Sequence, residues 1–159
     1  MNTLKRCTDY LEEHGVRFAT TRHPVAYTAS EVAAVEHVPP SKVAKTVVFH
    51  TEAGFGLAVV PACSMVQLDE LGLILGVHHV RLATETELGV LFPGCELGAM
   101  PPFGNLFGLP VYLAAELANE EFFSFNGGTH RDLIHMEMRD FRRLARPVIA
   151  DIAVAAPVA

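Results

Sequence analysis

The sequence has no tryptophan, three lysines and three cysteines in 159 residues, and Asp, Glu, Lys and Arg together make up only 19% of it. Each shortage excludes something. Cys7, Cys63 and Cys95 are odd in number, widely separated and free of any C-x-x-C spacing, so a disulfide framework or a cysteine-based zinc or redox centre is unsupported. No run of about 18 uninterrupted apolar residues is present to span a bilayer, although the mean hydropathy is +0.29. There is no excess of basic charge either: 12 Lys plus Arg stand against 18 Asp plus Glu, a net −6. A protein that bound nucleic acid by phosphate neutralisation alone would carry a basic stripe, so DNA is not an expected partner and any RNA contact should be local. G-x-S-x-G, H-E-x-x-H, Walker A and strand-borne G-x-G-x-x-G patterns are all missing, and the eight histidines never adopt the paired helical spacing of a zinc hydrolase. The expectation is a chemistry without metal or cofactor. The start, M-N-T-L-K-R-C-T-D-Y-L-E-E-H-G, has mixed charge and no apolar centre, which favours a cytoplasmic protein away from membranes.

What is present is a chain that is half apolar, without internal repeats or linkers. Residues 1–159 are therefore expected to form a single domain, large enough to bury roughly 70% of the surface its unfolded form exposes. Leu4, Cys7 and Leu11 at helical spacing, followed by Gly15, predict a helix over 2–14. A short strand over 16–20 follows. Thr28-Ala-Ser-Glu31 is a capping-box pattern for a second short helix that the Pro39-Pro40 pair should end. Residues 43–49 and 56–60 are β-rich apolar runs around a turn, and 68–75 should be helical. A strand over 79–82 leads to a second capping box, Thr84 to Glu87. Glycine and proline then crowd residues 92–110, which excludes a regular element and predicts a shaped loop. Strands over 111–114, 122–125 and 133–136, with Asn126-Gly127-Gly128 as a hairpin signal, precede a last helix over 139–145. This order predicts an α+β or mixed-sheet α/β fold. The arginines between Arg131 and Arg146 read as a solvated helix face.

Three features could carry chemistry. Lys45 interrupts the apolar strand V-A-K-T-V-V-F, where an ammonium must reach a cleft, meet a counter-charge or suffer a large desolvation cost. A lysine presented at a ligand site is the sharper reading, and an edge-strand lysine that snorkels to water is the alternative. Gly98-Ala-Met-Pro-Pro-Phe-Gly104 can aim backbone N–H groups at a developing oxyanion, or can simply be a turn. Asn126-Gly-Gly-Thr-His130 can be an ordinary hairpin or the polar rim of the same cleft. His23 and Tyr27 fit either a cleft lining or a structural role. A hydrolase made of these parts would depend on positioning and electrostatics, with a substrate group acting as the base.

The combination of an opening helix, H-x-x-x-Y-T-A-x-E, V-A-K-T-V-V-F, G-A-M-P-P-F-G and F-N-G-G-T-H resembles the YbaK/prolyl-tRNA synthetase-associated editing domain over nearly the whole chain. The resemblance implies a mixed α/β domain around a curved, barrel-like sheet. It also implies trans hydrolysis of the ester of a mischarged aminoacyl-tRNA, with the tRNA 3′ end, and an aminoacyl-tRNA synthetase beside it, as partners. Carried onto this chain, it makes Lys45 the anchor for the terminal adenosine or phosphate and gives Gly98 to Gly104 the aminoacyl carbonyl. His23, Tyr27, Val47, Met100, Pro101, Phe103, Asn126, Thr129 and His130 become substrate-contacting positions. Pro101 stands where the family usually has a small or hydroxylated residue, so the resemblance implies a small amino acid without naming it. The competing reading is a non-catalytic nucleotide or tRNA-end binding module on the same fold.

Overall fold

The computed structural model describes residues 2–157. Helix α1 (Thr3–Glu13) starts where the Asn2 side chain accepts the Lys5 N–H, and it buries Cys7 and Leu11 as their spacing requires. Strand β1 (Phe18–Arg22) follows, two residues later than the apolar pattern suggests, because its pairing with a distant strand sets its register. Helix α2 (Ala29–Glu36) is capped by Thr28, and it ends at His37 in the left-handed region before the two prolines are reached. Strands β2 (Ala44–Thr51) and β3 (Gly54–Pro61) form an antiparallel hairpin. After β4 (Ser64–Val66) come α3 (Leu68–Leu75), β5 (Val80–Leu82) and α4 (Glu85–Leu91), the last with both halves of its capping box made. The glycine- and proline-rich stretch is a loop with one 3₁₀ turn, Gly104–Leu106. It leads to β6 (Val111–Ala114), α5 (Ala115–Ala118), β7 (Phe122–Asn126), β8 (Asp132–Glu137), α6 (Met138–Ala145), β9 (Val148–Ala150) and β10 (Ala153–Ala155).

The architecture is mixed α/β, as the sequence predicts. A five-stranded sheet runs β5-β2-β3-β6-β9, antiparallel in its first half and parallel in its second, and faces an antiparallel sheet β1-β8-β7. Between them lies the main core, in which Phe103 packs edge-on against Phe125 and Phe141 at ring separations of 5.7 and 5.0 Å. Removing the Phe103 ring would leave a cavity costing about 3–5 kcal/mol.

The expected barrel does not close. Val43, the residue before β2, meets β7 through one isolated parallel bridge to Ser124, and β2 itself meets β5 only at Phe49 to Thr51. Between those contacts, one edge of β2 is left without a neighbouring strand. Val43 O accepts from Ala62 N on the β3 side, whereas Val48 O accepts from Ala83 N on the other. Peptide groups alternate along a strand, so Thr46 turns its N–H and C=O into the same gap. That gap is the floor of the candidate site.

Candidate active site

The gap opens into a cleft of about 420 Å³. Residues 44–48 of β2 form its floor, Tyr27 to Ser30 at the start of α2 form one wall, and Gly98 and Met100 form another. Leu82, Ala83 and Leu88 add an apolar side, and Asn126 closes the end nearest β7. Such a volume suits a small-molecule-sized group bound between secondary elements.

Lys45 is half-buried on the floor. Its Nζ donates to the carbonyl of Ser64, and among the described residues it has no carboxylate within ion-pair distance. Burial pushes its pKa below the ordinary lysine value, partly opposed by the Cys63 sulfur. An ammonium with one carbonyl partner and two donors left is suited to an anionic or strongly accepting ligand.

The loop opposite is held from beneath. Glu96 N donates to Gly128 O (2.8 Å), Gly128 N to Ala99 O (3.0 Å), and His130 N to Glu96 Oε1 (2.8 Å). The His130 ring donates from Nε2 to Leu97 O at 2.6 Å. These bonds fix Gly98 at φ +86, a left-handed conformation that glycine adopts without strain. A Cβ there would sit 3.5 Å from His130 Cε1. Among the described residues the N–H groups of Gly98 and Met100 make no hydrogen bond within the protein, and both residues line the cleft. Pro101 and Pro102 have no N–H to offer.

Two buried polar atoms of cleft residues also lack partners: Thr46 Oγ1 and Asn126 Oδ1, the latter on a residue only 8% exposed. Unsatisfied buried groups are rare because each costs a desolvation penalty, and here both belong to residues of one cleft. A larger depression of about 870 Å³ lies around His50, Glu52, His78, His79 and Arg81. Two of its charged groups are already engaged: Glu52 accepts the N–H groups of His78 and His79, and Arg81 pairs with Glu87. The smaller cleft is the better candidate, since it brings Lys45, without a carboxylate partner among the described residues, together with Gly98 and Met100, whose N–H groups are free within the protein.

Of the positions expected from sequence, Lys45, Val47, Gly98, Met100, Tyr27 and Asn126 share the cleft. The others stand behind it. Phe103 is wholly buried in the aromatic core, and Pro101 is buried beside it in sequence. Gly104 spends its N–H on Pro102 O, and a Cβ there would lie 2.4 Å from Leu109 O, so this glycine permits close packing and is no oxyanion donor. Thr129 donates to Asp132 Oδ2 at 2.6 Å and accepts from two backbone N–H groups, an ordinary turn. His130 supports the loop and meets the Tyr27 ring at 5.1 Å, while His23 is buried with Nδ1 bonded to Pro24 O. Thr46 and Ser30 are cleft residues that sequence reasoning missed. A polar β-branched residue directly after Lys45 in an apolar strand was the available signal for Thr46.

The model of the aminoacyl-tRNA editing domain matches residues 23–144, a span that holds α2, the β2–β3 hairpin, the Gly98 loop and the Asn126 turn. The chain belongs to this aminoacyl-tRNA editing family, whose class of reaction is aminoacyl-tRNA deacylation. Among solved structures, a protein described as a candidate trans-editing enzyme for prolyl tRNA synthetase is similar at 26% identity and a TM-score of 0.84, covering 98% of this chain and 99% of that one. A structure from work on computational epitope grafting onto scaffold proteins is similar at 22% identity and TM-score 0.83, covering 98% and 99%. A candidate signal-transduction protein from Marinobacter aquaeolei VT8 shares the fold at 17% identity and TM-score 0.74, covering 92% of this chain but 30% of that one. A comparison with curated proteins returns no match.

Proposed function

We propose that this protein hydrolyses, in trans, the ester that joins a small, wrongly attached amino acid to the 3′ end of a tRNA. One observation supports the reading: Lys45, whose ammonium has no carboxylate partner among the described residues, and Gly98 and Met100, whose N–H groups are free within the protein, line one cleft. Lys45 anchors the terminal adenosine through its phosphate. The scissile carbonyl lies against the Gly98–Met100 segment. A water oxygen attacks the carbonyl carbon, and the carbonyl π electrons move onto oxygen, where the N–H groups of Gly98 and Met100 stabilise the charge. Collapse of the tetrahedral adduct breaks the bond to the ribose oxygen, which leaves with the proton taken from water through the neighbouring ribose hydroxyl. Free amino acid and uncharged tRNA are released. An aminoacyl ester is already activated, so this arrangement can suffice: loss of one such donor costs other hydrolases about 3–4 kcal/mol.

Met100, Val47 and Leu88 bound the room left for the amino-acid side chain. Because one methylene alters recognition by only about 1–3 kcal/mol, exclusion of the cognate amino acid must come from the volume between these walls. An aminoacyl-tRNA synthetase, as the source of mischarged tRNA, is the natural macromolecular neighbour. The test is a deacylation panel with alanyl-, cysteinyl-, seryl- and threonyl-tRNA. Wild type should cleave at least one, and Lys45→Ala should lower kcat/KM by about a hundredfold, the scale of a lost charged contact. Saturable binding without cleavage would mark a tRNA-end binding module instead, and full activity in the variant would remove Lys45 from the account.

A further inference from the structure

We propose that His135 is a positioning residue for this cleft, acting at a distance through one hydrogen-bonded chain, Ser124–His135–Thr21–Glu36, that ties α2 to the sheet beneath it. Ser124 Oγ lies 2.7 Å from His135 Nδ1, His135 Nε2 lies 2.8 Å from Thr21 Oγ1, and Thr21 Oγ1 donates to Glu36 Oε2 at 2.9 Å. The proton order follows from the far end. An ionised carboxylate only accepts, so the Thr21 hydroxyl spends its proton on Glu36 and must accept from His135 Nε2–H. The neutral ring then has a bare Nδ1, which takes the Ser124 hydroxyl proton. Burial favours that neutral form over the imidazolium.

The chain spans three strands and a helix, and both of its ends bear on the cleft. In the β1-β8-β7 sheet, Ala19, His135 and Ser124 stand in one row, and Thr21 is the next residue of β1 on the same face. That face is turned toward α2, because Leu133, two residues before His135, packs with Val32 of the helix. Glu36 is the last residue of α2, and the first turn of that helix walls the cleft. Buried Ser124 bridges Val43, the residue before the floor strand that carries Lys45.

A helix of eight residues cannot hold itself in water and relies on tertiary contacts. Those of α2 are few: Val32 against Ala26 and Leu133, Ala33 with Ala29 and Val38 against Val43 and Ala62, and a hydrogen bond of 3.2 Å from Ser30 Oγ to Ala62 O in the first turn. Beyond Ala33 no residue of the helix is buried, Val35 being exposed, and Glu36 adds a polar hold at that end through the chain. Loss of the chain should leave the helix formed but less firmly seated, with the wall at Thr28 to Ser30 displaced for more of the time.

The activity arm of the test rests on the deacylase reading above, whereas the exchange arm does not. Amide hydrogen exchange of α2 and steady-state deacylation are measured for Thr21→Val, Glu36→Ala, Glu36→Gln and His135→Phe. Thr21 lies at the surface, so its variant should fold even if His135→Phe does not. Thr21→Val, Glu36→Ala and His135→Phe should speed exchange in α2 about two- to tenfold, the range of one or two hydrogen bonds, and raise KM with kcat held within about twofold. Glu36→Gln keeps an oxygen acceptor for Thr21 and should restore wild-type protection. Unchanged protection in Thr21→Val and Glu36→Ala, or equal behaviour of Glu36→Ala and Glu36→Gln, overturns the positioning role. Altered exchange in a protein that cleaves no aminoacyl-tRNA would uphold the chain and defeat the deacylase reading alone.

Discussion

On the proposed function, Lys45 combines a structural penalty with a binding asset. Its ammonium is half-buried beside a single carbonyl, and burial lowers its pKa from the usual 10.5. The sign of the pH dependence follows. The folded protein sheds the Lys45 proton at a lower pH than the unfolded chain does, so between the lowered value and 10.5 the unfolded state holds more protons and stability rises with pH. Ligand anchoring moves the opposite way, because the neutral amine no longer attracts a phosphate. Binding of a non-hydrolysable aminoacyl-adenosine phosphate should therefore weaken as pH climbs toward 10.5. Lys45→Arg should abolish that alkaline limb, since a guanidinium stays charged throughout. A titration of affinity against pH for the two proteins checks this. An identical alkaline limb in both would show that another group is responsible. His130 is the complementary case: its ring and backbone serve the loop, so a residue that sequence reasoning places against substrate acts one layer below it.

At the scale of elements, the Asn126-Gly-Gly turn connects the site to the rest of the fold. Gly128 holds φ +98, donates to Ala99 and accepts from Glu96, and a Cβ on it would lie 2.6 Å from Thr3 Cβ of α1. Gly128→Ala is expected to lower stability by about 1–3 kcal/mol through backbone strain alone, with the clash adding to it. Urea unfolding measures this directly, and a loss below about 0.5 kcal/mol would mean the turn relaxes freely. Local signals made many elements legible. The capping boxes place α4, apolar runs place β2 and β3, and α3 spans the residues that its pattern marks. What escaped was set by distance in the chain. Strand β10 exists because Ala153 to Ala155 pair with β4 some ninety residues earlier, β9 lies on β6 for three residue pairs, and α5 is only four residues long. No window of sequence holds both partners of such contacts.

For the whole molecule, the failure of the sheet to close is what creates the site. Strand β2 is paired along one edge with β3, but on the other the chain leaves β7 after the Val43 bridge, and β2 reaches β5 only at its far end. Lys45, Thr46, Gly98, Met100 and Asn126 all line the resulting space. Sequence reasoning can find the lysine, because a charge in an apolar strand is conspicuous, and the loop, because glycine and proline cluster there. It cannot find the gap, which depends on where two sheets part. With a net charge of −6, the molecule offers little general attraction to RNA, so the proposed function requires recognition concentrated at this cleft. The most direct measurement is a crystal structure with 3′-aminoacylamino-adenosine 5′-phosphate, an amide that the protein cannot cleave as an ester. The amide oxygen should lie about 3 Å from the N–H groups of Gly98 and Met100, with Lys45 Nζ on the phosphate. An analogue bound in the His50–His79 depression, or seated in the cleft with its carbonyl turned away from that loop, would contradict the account.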